Sequence, residues 1–420
     1  MFTQQRKGLL ILAITTYFAL SLIAVPFAIA QPTSLPKKVL KIGVTLPLVD
    51  MIGAEVKKAF EMLCAQQNEA GGIPVKGERY NIELIIYDSK FNPEVGRAAA
   101  EKLVHQDKVK FIMGEYSSIV ALAVAELTNP AKVLFLPTAA TDRLINPAWN
   151  YVFRTKANTF WLIASHYLPA KSLPPGTIKT AVLVGYDDEG GHTVLGESTK
   201  GVEAAGIKVS KLFFKRGITD FGPLATKVVS LQPQSFCTAG ITSAADHLRI
   251  MTSIFQSGWK GYWWSDMQTE TVLPDLVKAV GKGVLEGGFG QIDDASIIPS
   301  PPPDVVQYRK DYERRYGKWH YESLPWDPAW YFLMQAIKAA DSLDPDDILA
   351  AIKPDLGLYW PWAGKCIPIK RRDLGVDKYR DCVYGSYLGV VRDGKMVFTE
   401  KVRAETVLEI AEKANRTSYR

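Results

Sequence analysis

Cysteine is scarce in this chain: four in 420 residues. That excludes a small scaffold stapled by many disulfides. Histidine is scarcer in effect, because its five copies (105, 166, 192, 247 and 320) are scattered and none has metal-ligand spacing with a cysteine. G-x-S-x-G, a phosphate-binding Walker loop and H-E-x-x-H are all missing. No run of one charge sign appears. The 50 basic and 44 acidic residues intermix, so the formal charge of +6 gives no support to nucleic-acid binding. Beyond residue 30 no stretch is apolar enough to span a bilayer. What is present is ordinary globular composition, 47% hydrophobic and 22% charged, in a length that suits two domains.

The first 30 residues stand apart. Arg6 and Lys7 form a positive start, Leu9 to Ala30 is almost wholly apolar, and Ala28-Ile29-Ala30 offers the small-x-small pattern that a signal peptidase cleaves. We expect a signal peptide over 1–30 and a mature chain exported to the periplasm. A membrane anchor is the competing interpretation, since the run is long enough to span. No cysteine lies near the cleavage point to carry a lipid. Export permits disulfides. Cys366 and Cys382, both in the last quarter, are a candidate pair, with two buried thiols as the alternative. Cys64 and Cys237 sit in apolar runs and read as core thiols.

The mature chain alternates strand and helix patterns. Val39 to Leu46 reads as a strand. Val56, Ala59, Phe60 and Leu63 mark one face of a helix over Glu55 to Glu69. A strand over Tyr80 to Tyr87 follows. Asn92-Pro93 then opens a helix to Val104 with an N-cap and a first-turn proline. Strands at 109–113 and 133–136 flank a helix at 119–127. The pattern restarts after a break near 150–158. Strands are expected at 180–185, 207–214, 235–239 and 262–264, and helices near 193–205, 222–231 and 244–256. Gly287 to Ile292 reads as a strand, helices follow near 304–316 and 328–343, and Val383 to Phe398 reads as two strands about an Asp393-Gly394 turn. Such β-α repetition gives an α/β fold with parallel sheets covered by helices on both faces.

No catalytic constellation stands out. Asp187-Asp188 and Asp293-Asp294 read as solvated loop charges, and Lys370, Arg371 and Arg372 as a solvated basic face. Ligand capture at strand ends is the better reading. After the strand at 109–113 comes Glu115-Tyr116-Ser117-Ser118, where hydroxyls meet a helix start, an arrangement suited to a carboxylate. The competing account is that a serine merely caps that helix. The next strand ends at Pro137-Thr138-Ala139-Ala140-Thr141, again small and hydroxyl-bearing.

These segments carry a resemblance. The strand at 41–48 (KIGVTLPL), Asn68-Glu69-Ala70-Gly71-Gly72-Ile73, Tyr87-Asp88 before Asn92-Pro93, the two hydroxyl turns and Phe153-Arg154-Thr155 follow one another in characteristic order. The chain resembles the type 1 periplasmic solute-binding proteins of ABC importers, of the leucine/isoleucine/valine-binding class. The resemblance implies two Rossmann-like lobes joined by three crossover segments. Lobe 1 would hold 39–155 and 290–350, lobe 2 would hold 156–289 and 351–412, and the ligand cleft would lie between them. The third crossover, near 345–355, rests on the resemblance alone.

By the same resemblance, Ser118 would bond a ligand carboxylate, with Ala139 and Thr141 beside it and Tyr116 in the same turn. Asp266 would meet a ligand ammonium. Tyr186 or His192 would be the cleft aromatic, and Trp326 a further wall. Met51 and Ile52 stand where the family usually has an aromatic. The expected protein is a non-enzymatic monomer without cofactor that captures a small carboxylate-bearing ligand, an amino acid or related compound, by lobe closure. Its partner would be the membrane permease of an importer. An aromatic acid, an amide or another small solute remains open as ligand. So do a role as ligand-sensing partner of a receptor and an enzyme on the same scaffold.

Overall fold

A computed structural model describes residues 38–156, 159–172, 176–267, 269–319, 323 and 327–419. The expected signal peptide and Trp326 lie outside the described residues. Two parallel sheets organise the rest. The first contains β1 (Lys38–Leu46), β2 (Ile73–Val75), β3 (Glu78–Asp88), β4 (Phe111–Gly114) and β5 (Leu134–Leu136), in the order β2-β3-β1-β4-β5. β1 is central and parallel to both β3 and β4. Its Ile42, Val44 and Leu46 are buried, and so is Thr45 between them, because helices cover both faces. β2 and β3 form an antiparallel hairpin at one edge. At the other edge the chain at 151–153 runs beside Phe135.

The second sheet takes β6 (Thr180–Tyr186), β7 (Lys208–Phe214), β8 (Ser235–Thr238), β9 (Tyr262–Ser265) and β10 (Phe289–Ile292). After them come two short pairs, β11 (Tyr359–Trp360) with β12 (Gly364–Lys365) and β13 (Ile367–Lys370) with β14 (Tyr379–Val383). A hairpin of β15 (Ser386–Arg392) and β16 (Lys395–Val402) completes the sheet, in the order β16-β15-β10-β9-β8-β6-β7. Asp393 and Gly394 both have positive φ (49° and 74°), the requirement of a two-residue hairpin turn.

The helix after Asn92-Pro93 starts where its cap said it would, whereas those expected from 55 and 193 start earlier, at Met51 and Glu189. Asn92 Oδ1 accepts from the amides of Glu94 and Val95 at 2.9 and 3.0 Å. That helix is regular over Pro93–Glu101 and ends in a wider turn closed by Asp107 N on Lys102 O. Several helices escaped the sequence pattern, among them Lys282–Leu285, Pro345–Ala351 and Ala404–Asn415 and two that contain proline. Thr159–Ser172 is apolar nearly all round and contains Pro169, and Thr269–Val280 contains Pro274. Thr159–Ser172 lacks the polar face that a periodicity argument needs, whereas Thr269–Val280 has one in Asp275 and Lys278 but is interrupted by its proline.

Two expectations need correction here. Cys366 and Cys382 stand as buried thiols. The β13–β14 register sets Cys382 opposite Pro368, so Cys366 is its diagonal neighbour. The two thiols hydrogen-bond instead, and burial with this contact pushes the Cys382 thiol well up. Arg371 is not part of a solvated face either. It is 3% exposed and joins a buried ion cluster.

That cluster is centred on Arg154, whose exposure is zero. Its Nε and Nη2 bond both oxygens of Asp381, and Nη2 also reaches Asp142 at 2.9 Å. Nη1 donates to the carbonyls of Ala140 and Thr141 at 2.8 and 3.2 Å. Arg371 adds two bonds to Asp142, at 3.0 and 2.7 Å, three to Asp373 at 2.9, 3.0 and 3.3 Å, and one to Asp381 at 3.3 Å. Burial alone would push the Asp142 carboxyl up, but Arg154 and Arg371 outweigh it and hold it at about 2. Removing one member leaves a buried charge unpaired, which costs about 3–5 kcal/mol. Arg154→Met or Asp381→Asn should therefore lower the unfolding free energy by that much, read as a lower urea midpoint. Asp377→Asn, on the exposed Arg372 pair, should leave the midpoint unchanged.

Candidate ligand-binding site

The carboxyl ends of the strands of both sheets converge on a cavity of about 440 Å³, the position at which open α/β sheets take ligands. The first sheet contributes Leu46 after β1, Tyr116 to Ser118 after β4, and Thr138 and Ala140 after β5. The second contributes Asp187 to Gly191 after β6, Arg216 after β7, Gly240 after β8 and Asp266 after β9. Lys156, Gln291, Asp293 and Tyr384 close its inner end.

At the outer end two helix starts face each other. Ser118 is the first residue of the helix Ser118–Thr128, and no serine hydroxyl caps that helix. Instead Ser118 Oγ accepts from Thr141 N at 3.3 Å. Thr141 Oγ1 donates to Glu189 Oε1 at 3.0 Å. Glu189 opens the helix Glu189–Ala204, which Asp188 caps through Gly191 N at 2.8 Å. Gly191 has to be glycine: a Cβ there would lie 2.0 Å from Tyr186 O. The helix start is thereby pressed onto the end of β6, so its amide end projects into the cleft.

The inner end is dominated by buried charge. Asp266 is 5% exposed and accepts from Gly240 N with both oxygens at 3.0 Å. Burial, reinforced by nearby Asp293, pushes its carboxyl up to about 7. Glu270 accepts from the amides of Asp293 and Asp294 at 2.7 and 2.9 Å, and burial beside Asp293 pushes it well up. Burial lowers Lys156 to about 8, against the pull of Asp293 and Asp327. Its Nζ lies 4.8 Å from the centre of the Trp360 ring. Burial raises Asp327 to about 6. The walls between the two ends are apolar, with Phe91 edge-on to Tyr116 at 5.5 Å and Trp161 beside Tyr384 at 6.3 Å.

The structure brings Ser118, Tyr116 and Asp266 to this cleft, and sets Thr141, which is 1% exposed, behind Glu189 of the lining. The Tyr116 hydroxyl is taken by Asp50. Ala139 is fully buried in the core behind the turn, and Thr138 and Ala140 line the cavity in its place. Tyr186 is displaced further. It is 1% exposed, bonds Asp246 at 3.1 Å, and lies under Arg216, whose guanidinium covers its ring at 3.6 Å. His192 faces outward, stacked on Phe213. The two acidic pairs were misread as solvated loop charges. Asp187, Asp188 and Asp293 line the cavity, and Asp294 is buried and accepts from Trp319 Nε1. Sequence reasoning missed Phe91, Lys156, Trp161, Asp327 and Tyr384. Of these only Lys156 had a signal, adjoining Phe153-Arg154-Thr155 at the expected crossover.

The fold and site together define a class: the chain belongs to the periplasmic binding protein family, whose profile matches residues 40–358. Its architecture is that of the type 1 members, two Rossmann-like lobes joined by three crossovers, and these are the solute-binding components of ABC transporters. Among curated proteins it is similar to Leu/Ile/Val-binding protein homolog 8 of Brucella abortus (strain 2308). The two are 23% identical over 317 residues, which is 72% of this chain and 76% of the relative. Among solved structures it is similar to the leucine binding protein LivK of Thermotoga maritima MSB8. There the TM-score is 0.68 and the identity 20%, over 87% of this chain and 99% of the other. A solute binding protein of an ABC transporter from Rhodopseudomonas palustris HaA2, in complex with p-hydroxybenzoic acid, gives a TM-score of 0.69 and 22% identity, over 87% and 98%. Among the described residues no helix is long and apolar enough to cross a membrane.

The pH response of the fold follows from Asp266. Its folded pKa of about 7 exceeds the ordinary 3.8. The protonated form is thus favoured in the folded state, and stability is lost as pH rises between those values, by about 1.4 kcal/mol per pH unit. Asp266→Asn should flatten the ligand-free melting curve against pH over that window and raise the melting temperature at pH 7.5. A slope equal to that of the wild type would show that Asp266 does not titrate there.

Proposed function

We propose that the protein is the exported capture component of an ABC importer and binds a small amino acid, or a closely related ammonium-bearing acid, by lobe closure. The observation that supports this reading most is the polarity of the cleft. Hydroxyl donors and two helix starts occupy one end, and buried carboxylates occupy the other. A ligand carboxylate at Ser118 and Thr141 would be held by hydroxyl and amide donors. An ammonium at Asp266 and Asp293 would relieve the cost of burying two acids side by side. The apolar walls suit a hydrocarbon or aromatic body. Contacts to both lobes would favour the closed form, which the permease reads. The chain would act as a periplasmic monomer released by cleavage after Ala30.

A second reading is supported by the aromatic walls and by the Rhodopseudomonas neighbour, whose ligand is an aromatic acid. A simple aromatic acid would use the Ser118 end alone and leave Asp266 without a counter-ion. The two readings separate by titration. A thermal-shift screen of amino acids and aromatic acids should identify a ligand, since one present at 100 times its Kd adds about 2.7 kcal/mol. Calorimetry then tests the ends. Ser118→Ala and Thr141→Val should each weaken binding roughly tenfold to a hundredfold, from about 1.5–3 kcal/mol per charge-assisted hydrogen bond. An amino acid should release about one proton at pH 6, as its ammonium draws Asp266 into the ionised form, and none above pH 8. A simple acid should release none at either pH. Unchanged affinity in Ser118→Ala would remove the carboxylate end from the reading.

A further inference from the structure

Three consecutive acids, Asp187, Asp188 and Glu189, stand at the mouth of the second lobe. Two have cationic or capping partners within that lobe. Asp187 meets His192 at 2.9 Å, and Asp188 caps its helix while holding Arg216 at 2.7 Å. Glu189 differs in direction. Its Oε1 crosses to the first lobe, accepts the Thr141 hydroxyl at 3.0 Å and lies 3.6 Å from Arg143. Beside it the lobes meet closely, for a Cβ on Gly190 would stand 3.3 Å from Ser118 Oγ. A carboxylate of the protein therefore occupies the donor that a ligand carboxylate is proposed to use.

We propose that Glu189 is a built-in substitute for the ligand carboxylate. It latches the two lobes across Thr141 in the ligand-free protein, and an incoming carboxylate has to displace it. The proposal deepens the reading of the Ser118–Thr141 end and rests on that reading for its ligand half, whereas its latch half rests on the Glu189–Thr141 contact alone. The chemistry is a plain exchange. One carboxylate replaces another on the same hydroxyl, and Glu189, whose side chain is about a third exposed (31%), has the more exposed guanidinium of Arg143 to turn to. Two carboxylates on one donor repel, so both cannot stay. Glu189 thereby sets a threshold: a ligand without a carboxylate gains nothing at this end that Glu189 does not already supply. The device selects for acids while keeping the empty cleft partly shut.

The test has a ligand-free arm and a ligand arm, both on the mature full chain. In small-angle scattering without ligand, Glu189→Ala should give a larger radius of gyration than wild type. Thr141→Val should give the same expansion, and the double variant no more than either alone, because both remove one shared contact. Glu189→Gln keeps an acceptor and should remain compact. In calorimetry with L-leucine and with p-hydroxybenzoate as probes, Glu189→Ala should tighten whichever acid binds by roughly tenfold, about one hydrogen bond's worth of competition removed. Weaker binding in Glu189→Ala, or scattering identical to wild type, would overturn the proposal. If neither acid binds the wild type, the scattering comparison decides alone. If Ser118→Ala leaves affinity unchanged while Glu189→Ala still opens the empty protein, the carboxylate reading falls and the latch stands.

Discussion

A fully buried guanidinium sets the geometry on which the cleft depends. Arg154 sits where the chain leaves the first sheet, and it has no water to solvate it. Each of its donors must therefore find a fixed acceptor, and the acceptors come from two separate parts of the sequence. Two are the carbonyls of Ala140 and Thr141, one is Asp142, and the last is Asp381 on β14. The turn that presents Thr141 to the cleft is thus held from behind by a charge that tolerates little displacement, because a buried ion loses far more from a broken bond than a surface ion does. The C-terminal strands are drawn into the site by the same requirement. Asp381 and Arg371 extend the Arg154–Asp142 pair into a network of two guanidiniums and three carboxylates, Asp142, Asp373 and Asp381.

The opposite lobe follows a different logic. Its buried acids Asp266 and Glu270 are met by backbone amides rather than by guanidiniums. Asp266 is held by one backbone amide, Glu270 by two, and Asp293 raises the cost of ionising both. A site poised in this way is less stable than it would be with asparagine. Such a sacrifice of stability is common where a protein must attract a charge it does not contain. The first lobe is rigid and paired, and the second is strained electrostatically. Closure around a ligand with an ammonium would let the second lobe gain what the first already has.

Much of this was legible from residues. The hydroxyl-bearing turns after β4 and β5 were visible as turns at strand ends, and adjacency of those strands made Ser118 and Thr141 neighbours before any coordinates. The failures have physical causes. Tyr186 was placed in the cleft by the resemblance, but side chains alternate along a strand and this last residue of β6 faces the core under Arg216. Asp187-Asp188 and Asp293-Asp294 look like solvated pairs, since nothing local shows that a crossover will fold over them. Arg371 sat in a basic triplet whose partners are 229 and 10 residues away. Phe91, Trp161 and Tyr384 meet only through tertiary packing. The bridge between Cys366 and Cys382 depended on a ladder register that spacing cannot supply.

The outer end of the cleft carries one further constraint. A ligand carboxylate there would meet hydroxyls and helix amides, with Arg143 standing off at the rim on Glu189. A guanidinium aimed inward would hold an acid more strongly, through a bidentate pair. It would also hold it against the permease, because a capture protein has to let go. Dipolar donors give direction and moderate strength, and a competing carboxylate on the same hydroxyl weakens the grip further. An empty cleft already part-way closed loses less freedom when ligand arrives. The same Glu189–Thr141 contact would lower the conformational cost of closing, but its competition for the hydroxyl outweighs that gain, so the net affinity for acids is lower and the cleft exchanges its cargo more readily.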